Sequence, residues 1–109
     1  IYTGSARGQV MRSKDGGKNW TNVTIGLPDR FIKSIVVDRN NAETVFVSVS
    51  GFGSGHVFKT TDAGNTWKDI SGNLGDIPVN ALLIDPLNPN IIYAGTDLGV
   101  YRSTVNGMN

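Results

Sequence analysis

Ser13-Lys14-Asp15-Gly16-Gly17-Lys18-Asn19-Trp20 and Thr60-Thr61-Asp62-Ala63-Gly64-Asn65-Thr66-Trp67 spell one pattern twice, 47 positions apart. The offset persists beyond the two strings. Leu27 falls on Leu74, Asp29 on Asp76, Asp38 on Asp85 and Asn41 on Asn88, and the apolar run Ile35-Val36-Val37 falls on Leu82-Leu83-Ile84. A third copy starts at Ile92-Tyr93-Ala94-Gly95-Thr96 and runs through Val100-Tyr101-Arg102-Ser103. Self-similarity at a period of this size marks an array of supersecondary units, each burying its apolar face only against its neighbours.

Each copy reads as four short strands. The first is Ile32 to Val37, matched by Val79 to Ile84; its near-continuous apolar character predicts burial on both faces, as for the innermost strand of packed sheets. The second is Val45 to Ser50, matched by Ile91 to Thr96 and Ile1 to Ser5. The third is His56 to Thr60, matched by Gln9 to Ser13 and Gly99 to Ser103. The fourth is Thr66 to Ile70, matched by Asn19 to Val23. No segment repeats apolar residues at helical spacing over ten or more positions, so no helix is expected. Four strands in about 47 residues is the size of one propeller blade. The predicted fold is all-β: a partial β-propeller of two four-stranded antiparallel blades plus part of a third. Residues 1–30 hold outer strands of the first blade, 31–77 a complete blade and 78–109 inner strands of the next.

The repeated string lies between the third and fourth strands and reads as a hairpin turn. Asp15 and Asp62 are placed to accept backbone N–H groups a few residues on. Gly17 and Gly64 supply the positive φ of a tight turn. Ser13 and Thr60 open the motif, and Trp20 and Trp67 carry a large ring into the gap between neighbouring sheets. Isolated on separate turns, the two aspartates read as structural rather than catalytic or metal-binding. In the third copy Val105 replaces the aspartate of Ser103-Thr104-Val105-Asn106-Gly107, so that turn closes differently.

The string Ser-x-Asp-x-Gly-x-Asn/Thr-Trp resembles the Asp-box, or bacterial neuraminidase repeat. That repeat occurs in sialidases, xyloglucan-degrading glycoside hydrolases, sortilin-type receptors and a photosystem assembly factor, all of them β-propellers. The resemblance implies ligand sites at one end of a central channel, in loops between successive strands. Those between second and third strands differ among the copies: Ala6-Arg7-Gly8, Gly51-Phe52-Gly53-Ser54-Gly55 and Asp97-Leu98-Gly99. Variation on a constant scaffold is where function tends to sit.

Arg7, Phe52 and Asp97 are therefore the ligand-contact candidates. Thr96-Asp97-Leu98-Gly99-Val100-Tyr101-Arg102 is similar to the context of a catalytic carboxylate in the xyloglucan-degrading enzymes. Glycoside hydrolysis needs two carboxyl groups, and in that family the partner comes from a distant blade that is not in these 109 residues. The same string occurs in repeats without activity, so an ordinary turn aspartate is the plainer reading. Arg7 lacks the companion arginines, tyrosine and acidic pair of a sialidase. Phe52 offers a face for a sugar ring or a protein partner. The glycine-rich loop around it lacks the Lys-Ser/Thr and following helix of a phosphate cradle. His56 begins a strand and reads as structural. The cationic column Arg12, Lys59 and Arg102 reads as outward or edge-facing scaffold charge with its stems along the sheet.

Composition narrows the function classes. The formal net charge is +1 with acids and bases interspersed, against a nucleic-acid partner. Cysteine is absent, which removes disulfides, thiol catalysis and Cys-ligated zinc, and one histidine builds no multi-histidine metal site. No cofactor or metal is expected. No apolar run approaches the ~20 residues of a membrane span. Closing a propeller takes about four blades, or roughly 190 residues at this repeat. The expectation is thus a piece of a longer protein, with a ring of copies as the other possibility. Its partners are the remaining blades or further copies of itself, and a polysaccharide or protein ligand. The resemblance implies an extracellular or periplasmic, carbohydrate-associated protein, glycoside hydrolase-like or glycan-binding, with no complete active site in this stretch. The alternative is a non-enzymatic scaffold or receptor propeller.

Overall fold

The structure is a computed structural model that describes residues 1–5, 8–24, 27, 31–38, 41–49, 56–70, 79–85, 87–88, 91–96 and 98–103. They form ten strands and no helix: β1 (Tyr2–Gly4), β2 (Val10–Arg12), β3 (Thr21–Asn22), β4 (Ile32–Asp38), β5 (Asn41–Val49), β6 (Val57–Thr60), β7 (Lys68–Asp69), β8 (Val79–Ile84), β9 (Ile92–Thr96) and β10 (Gly99–Ser103). Every pairing is antiparallel between strands adjacent in the chain. Three sheets result: β1-β2-β3, β4-β5-β6-β7 and β10-β9-β8. This is a partial β-propeller, with one four-stranded sheet between two three-stranded ones. A β-meander pairs only consecutive strands, so each sheet forms from its own stretch of chain.

Register fixes which residues of the three sheets are equivalent. Tyr2 lies opposite Arg12, Phe46 opposite Lys59, and Tyr93 opposite Arg102. Register shifts recur at one repeat position of the inner strands, between Ile32 and Ser34 in β4 and between Val79 and Ala81 in β8. A bulge there bends the strand and raises its twist.

The core is not inside any sheet but in the two seams between them. Val10 and Val23 of the first sheet pack with Val45, Val47, Val49 and Phe58 of the second. On its other face the second sheet offers Phe46, Val57 and Ile70 to Val79, Leu82, Ile92 and Ala94 of the third. Burying each larger side chain is worth about 1.5–3 kcal/mol, and one repeat alone has no partner for its faces.

The fully buried strand differs from the expectation. Residues 44–49 of β5 are all buried, whereas the inner strand β4 is only half-buried at Ser34, Ile35 and Val36 and exposed at Lys33 and Val37, and β8 leaves Ala81 and Leu83 exposed. β4 and β8 are edge strands of their sheets. β5 is flanked by strands on both edges and by sheets on both faces, so it collects the continuous apolar environment.

Candidate functional site

The two turns are built alike. The Ser13 hydroxyl donates to Asp15 Oδ1 at 2.9 Å and accepts the Gly17 N–H at 2.8 Å. Asp15 in turn accepts the Asn19 N–H at 2.8 Å and the Asn19 side-chain amide at 2.7 Å. In the second turn the Thr60 hydroxyl donates to Asp62 at 2.6 Å and accepts the Gly64 N–H at 3.0 Å. Asp62 accepts the Thr66 N–H at 2.9 Å and the Thr66 hydroxyl at 2.6 Å. Hydrogen bonds to the ionised form lower a carboxyl pKa. Asp15 is held down at about 2, chiefly by the Asn19 backbone N–H. Asp62 is also held at about 2, chiefly by the Thr60 hydroxyl. Asp85 is lowered by the Leu87 N–H, and it accepts the Tyr93 hydroxyl at 3.1 Å, which raises the tyrosine's pKa.

Identical turns have unequal surroundings. Trp67 is half-buried in the seam against the first sheet, and its indole N–H reaches the Val23 carbonyl of that sheet at 2.7 Å. Trp20 is exposed, and its indole N–H turns back to the Gly17 carbonyl of its own turn at 3.1 Å. The expectation that both rings enter an inter-sheet gap therefore holds for Trp67 and not for Trp20. Among the described residues, no sheet covers the face on which Trp20 stands.

Where the first two sheets meet, a cleft of about 420 Å³ is lined by Tyr2, Arg12, Lys14, Glu43 and Ala63, among others. The Tyr2 hydroxyl donates to the Ala42 carbonyl at 3.1 Å, and Arg12 Nη1 donates to the Ala63 carbonyl. Arg12 Nε is buried and without a protein partner. Burial raises the Tyr2 pKa, with Arg12 opposing. Arg12 is thus half-buried and crosses to the next sheet rather than standing outward. Lys59 lies over the Phe46 ring, 5.4 Å from its centroid. The sequence contained a signal for this arrangement: the cations of the column each face an aromatic residue, Tyr2, Phe46 or Tyr93, across the strand pair.

The ligand-contact candidates Arg7, Phe52 and Asp97 lie outside the described residues, as does the third turn from Thr104 onward. Beside these loops, His56 is buried with Nδ1 3.3 Å from the Val49 carbonyl. Thr96 Oγ1 accepts the Leu98 N–H at 3.1 Å and donates to the Gly99 carbonyl at 2.9 Å, which ties β9 to the start of β10. No helix is long and apolar enough to cross a membrane among the described residues, and they contain no cluster of three metal-ligating side chains.

Solved structures share this arrangement of sheets, two GH74 enzymes and YCF48 among them. An ancestral GH74 enzyme superposes with a TM-score of 0.75 at 24% identity, over 100% of this chain and 16% of that one. YCF48 bound to D1 peptide gives 0.74 at 20% identity, over 99% of this chain and 35% of that one. The GH74 enzyme of Niastella koreensis gives 0.74 at 20% identity, over 93% of this chain and 17% of that one. At these identities the likeness speaks for the fold, and the chain spans no more than 35% of the length of any of the three. No curated protein matches the sequence. Residues 8–104, from the loop before β2 to just past β10, match the family described as Sortilin, neurotensin receptor 3. The chain is a member of the Sortilin-Vps10 family of β-propellers.

Proposed function

We propose that the chain is part of a secreted, receptor-type propeller that binds a protein or peptide ligand and carries no catalytic centre of its own. The observation that supports this reading most directly is the family match over residues 8–104, to a family described by a receptor. Asp15, Asp62 and Asp85 are held below the ordinary carboxyl range by their turn hydrogen bonds, which fits a scaffold role for these three. In this reading Ser13, Asp15, Gly17 and Trp20, with Thr60, Asp62, Gly64 and Trp67, are scaffold. Ligand contact falls to the variable loops holding Arg7, Phe52 and Asp97. One structural neighbour of the same fold is bound to a peptide.

The carbohydrate reading has a specific observation behind it too, since two structural neighbours are GH74 enzymes. Biolayer interferometry separates the two. The chain is passed over an immobilised peptide array and over xyloglucan. Peptide capture that weakens in both Arg7→Ala and Phe52→Ala supports the receptor reading. Capture by xyloglucan alone, weakened by Asp97→Ala, overturns it.

A further inference from the structure

Two asparagine sequons follow one another through the first turn and its outer strand, Asn19-Trp20-Thr21 and Asn22-Val23-Thr24. An Asn-x-Thr triplet on an exported chain is an acceptor for N-linked glycan, and a glycan is bulky enough that its acceptor must stand on the surface of the folded protein. The structure gives the two asparagines different work.

Asn19 belongs to the turn. Its backbone N–H and its side-chain amide both donate to Asp15, at 2.8 and 2.7 Å. Its equivalent Thr66 makes the same two bonds to Asp62 with its N–H and its hydroxyl. Position 19 therefore serves to close the hairpin in both copies, and its Nδ2 is held against a carboxylate.

Asn22 has no part in that closure. Its Oδ1 accepts the Thr24 N–H at 2.9 Å and the Thr24 hydroxyl, which closes an Asx turn inside the triplet itself. The Thr24 hydroxyl also accepts the Val10 N–H at 2.9 Å, tying the triplet to β2. Nδ2 lies on the opposite side of the Asn22 amide from Oδ1 and has no acceptor among the described residues.

Asn22 is exposed in β3, an edge strand of its sheet. That exposure does not come from an absent neighbour. Asn22 lies opposite Met11, as Asp69 of β7 lies opposite Phe58. Asp69 is exposed although Phe58 is buried and Trp67 packs into the seam against the first sheet. The position is thus in water even where a preceding sheet is present. On the other side of β3 the second sheet already stands, and there it buries Val23.

We propose that Asn22, and not Asn19, is an N-glycosylation site on the rim of the blade. The proposal rests on the secreted reading given under the proposed function. In the transfer, Asn22 Nδ2 forms a bond to the anomeric carbon of a polyisoprenyl-pyrophosphate-linked oligosaccharide. The bond from that carbon to the pyrophosphate oxygen breaks, the lipid pyrophosphate leaves, and one Nδ2 proton passes to a base of the transferase. Oδ1 keeps both of its bonds to Thr24, so the Asx turn survives the modification.

The whole chain, carried into the secretory pathway of cultured animal cells by a cleavable signal peptide, tests this. Mass is read on denatured protein from cells and medium together, so a variant that folds poorly still reports. The parent chain is expected to carry one glycan above its 11.7 kDa. Peptide:N-glycosidase should remove that glycan and leave an aspartate in place of Asn22, located by tandem mass spectrometry. Asn22→Gln and Thr24→Ala should lose the glycan, while Asn19→Gln and Thr24→Ser should keep it. A parent chain without glycan, a glycan on Asn19, or either loss variant that still carries one would overturn the proposal. Peptide capture by chain made in bacteria without glycan tests the receptor reading separately. A glycan without capture sinks that reading and leaves Asn22 standing, and capture without a glycan does the reverse.

Discussion

Gly17 and Gly64 occupy the same place in the same turn, yet alanine should cost very different amounts at the two. Both have a positive φ, +99° and +91°, which a β-carbon resists by about 1–2 kcal/mol. At Gly17 an added Cβ meets only the Trp20 ring, at an ordinary 3.8 Å, so the backbone cost stands alone. At Gly64 the same atom lies 2.7 Å from Val23 Cβ, 2.9 Å from Cγ2 and 3.2 Å from Cγ1. Val23 is buried in the seam and β-branched, so a change of rotamer does not move its Cβ out of the way. Overpacking of that kind costs a further ~1–3 kcal/mol. Gly17→Ala is thus expected to lose about 1–2 kcal/mol and Gly64→Ala about 2–5 kcal/mol. Urea unfolding followed by far-ultraviolet circular dichroism measures both, with m-values checked for a common unfolded state. Equal losses at the two glycines would mean that the 60–67 turn does not rest on Val23, and would refute the packing of the second sheet's turn onto the first sheet.

Further tests address the same seam and the turns beside it. Trp67→Phe removes the donor to the Val23 carbonyl and should cost about 1–3 kcal/mol, whereas Trp20→Phe should stay within ~0.5 kcal/mol; thermal melts of the two variants compare them. Tyr2→Phe, which loses only the bond to Ala42, should cost about 0.5–1.5 kcal/mol in the same assay. Asp15 and Asp62 have folded pKa values of about 2, below an ordinary value of 3.8. Their contribution is complete above that ordinary value and is lost as pH falls from roughly 4 through 2, so an acid titration should show unfolding there, with a smaller pH dependence in Asp62→Asn.

Much of the architecture was legible because the repeat is written in residues with single-purpose geometry. The Asp–Gly–Trp spacing of each turn located the third and fourth strands, and the 47-residue offset then placed the other two. The sequence was less informative about which strand is buried on both faces. The run Ile35-Val36-Val37 is as apolar as Val45-Phe46-Val47, but β4 is a sheet edge and β5 is not. Strand order is a property of the assembled sheet, and composition does not encode it. The ligand candidates Arg7, Phe52 and Asp97 rest on loop variation and, for Asp97, on a resemblance to a catalytic context, and both name a place without naming a geometry.

Trp20 and Trp67 show why local sequence stops short of function in a repeat protein. They hold the same position in matching strings, and their turns close with the same hydrogen bonds. One indole donates to its own turn and the other to a neighbouring sheet, because Trp67 stands against the first sheet while among the described residues no sheet stands against Trp20. The same holds for Tyr2 and Tyr93, whose hydroxyls reach the next sheet's Ala42 carbonyl in one case and Asp85 of the same sheet in the other. In an array each sheet supplies half of two interfaces, so a residue's burial, its hydrogen-bond partner and its pKa are set by its index in the stack. Whatever covers the third sheet will therefore change the partner of Tyr93 and the environment of Asp85 without altering a residue near them. The Tyr93 hydroxyl, able to exchange Asp85 for a carbonyl of an arriving sheet, reports that event directly, and Tyr93→Phe should leave the isolated chain's fold intact while weakening any sheet that docks there.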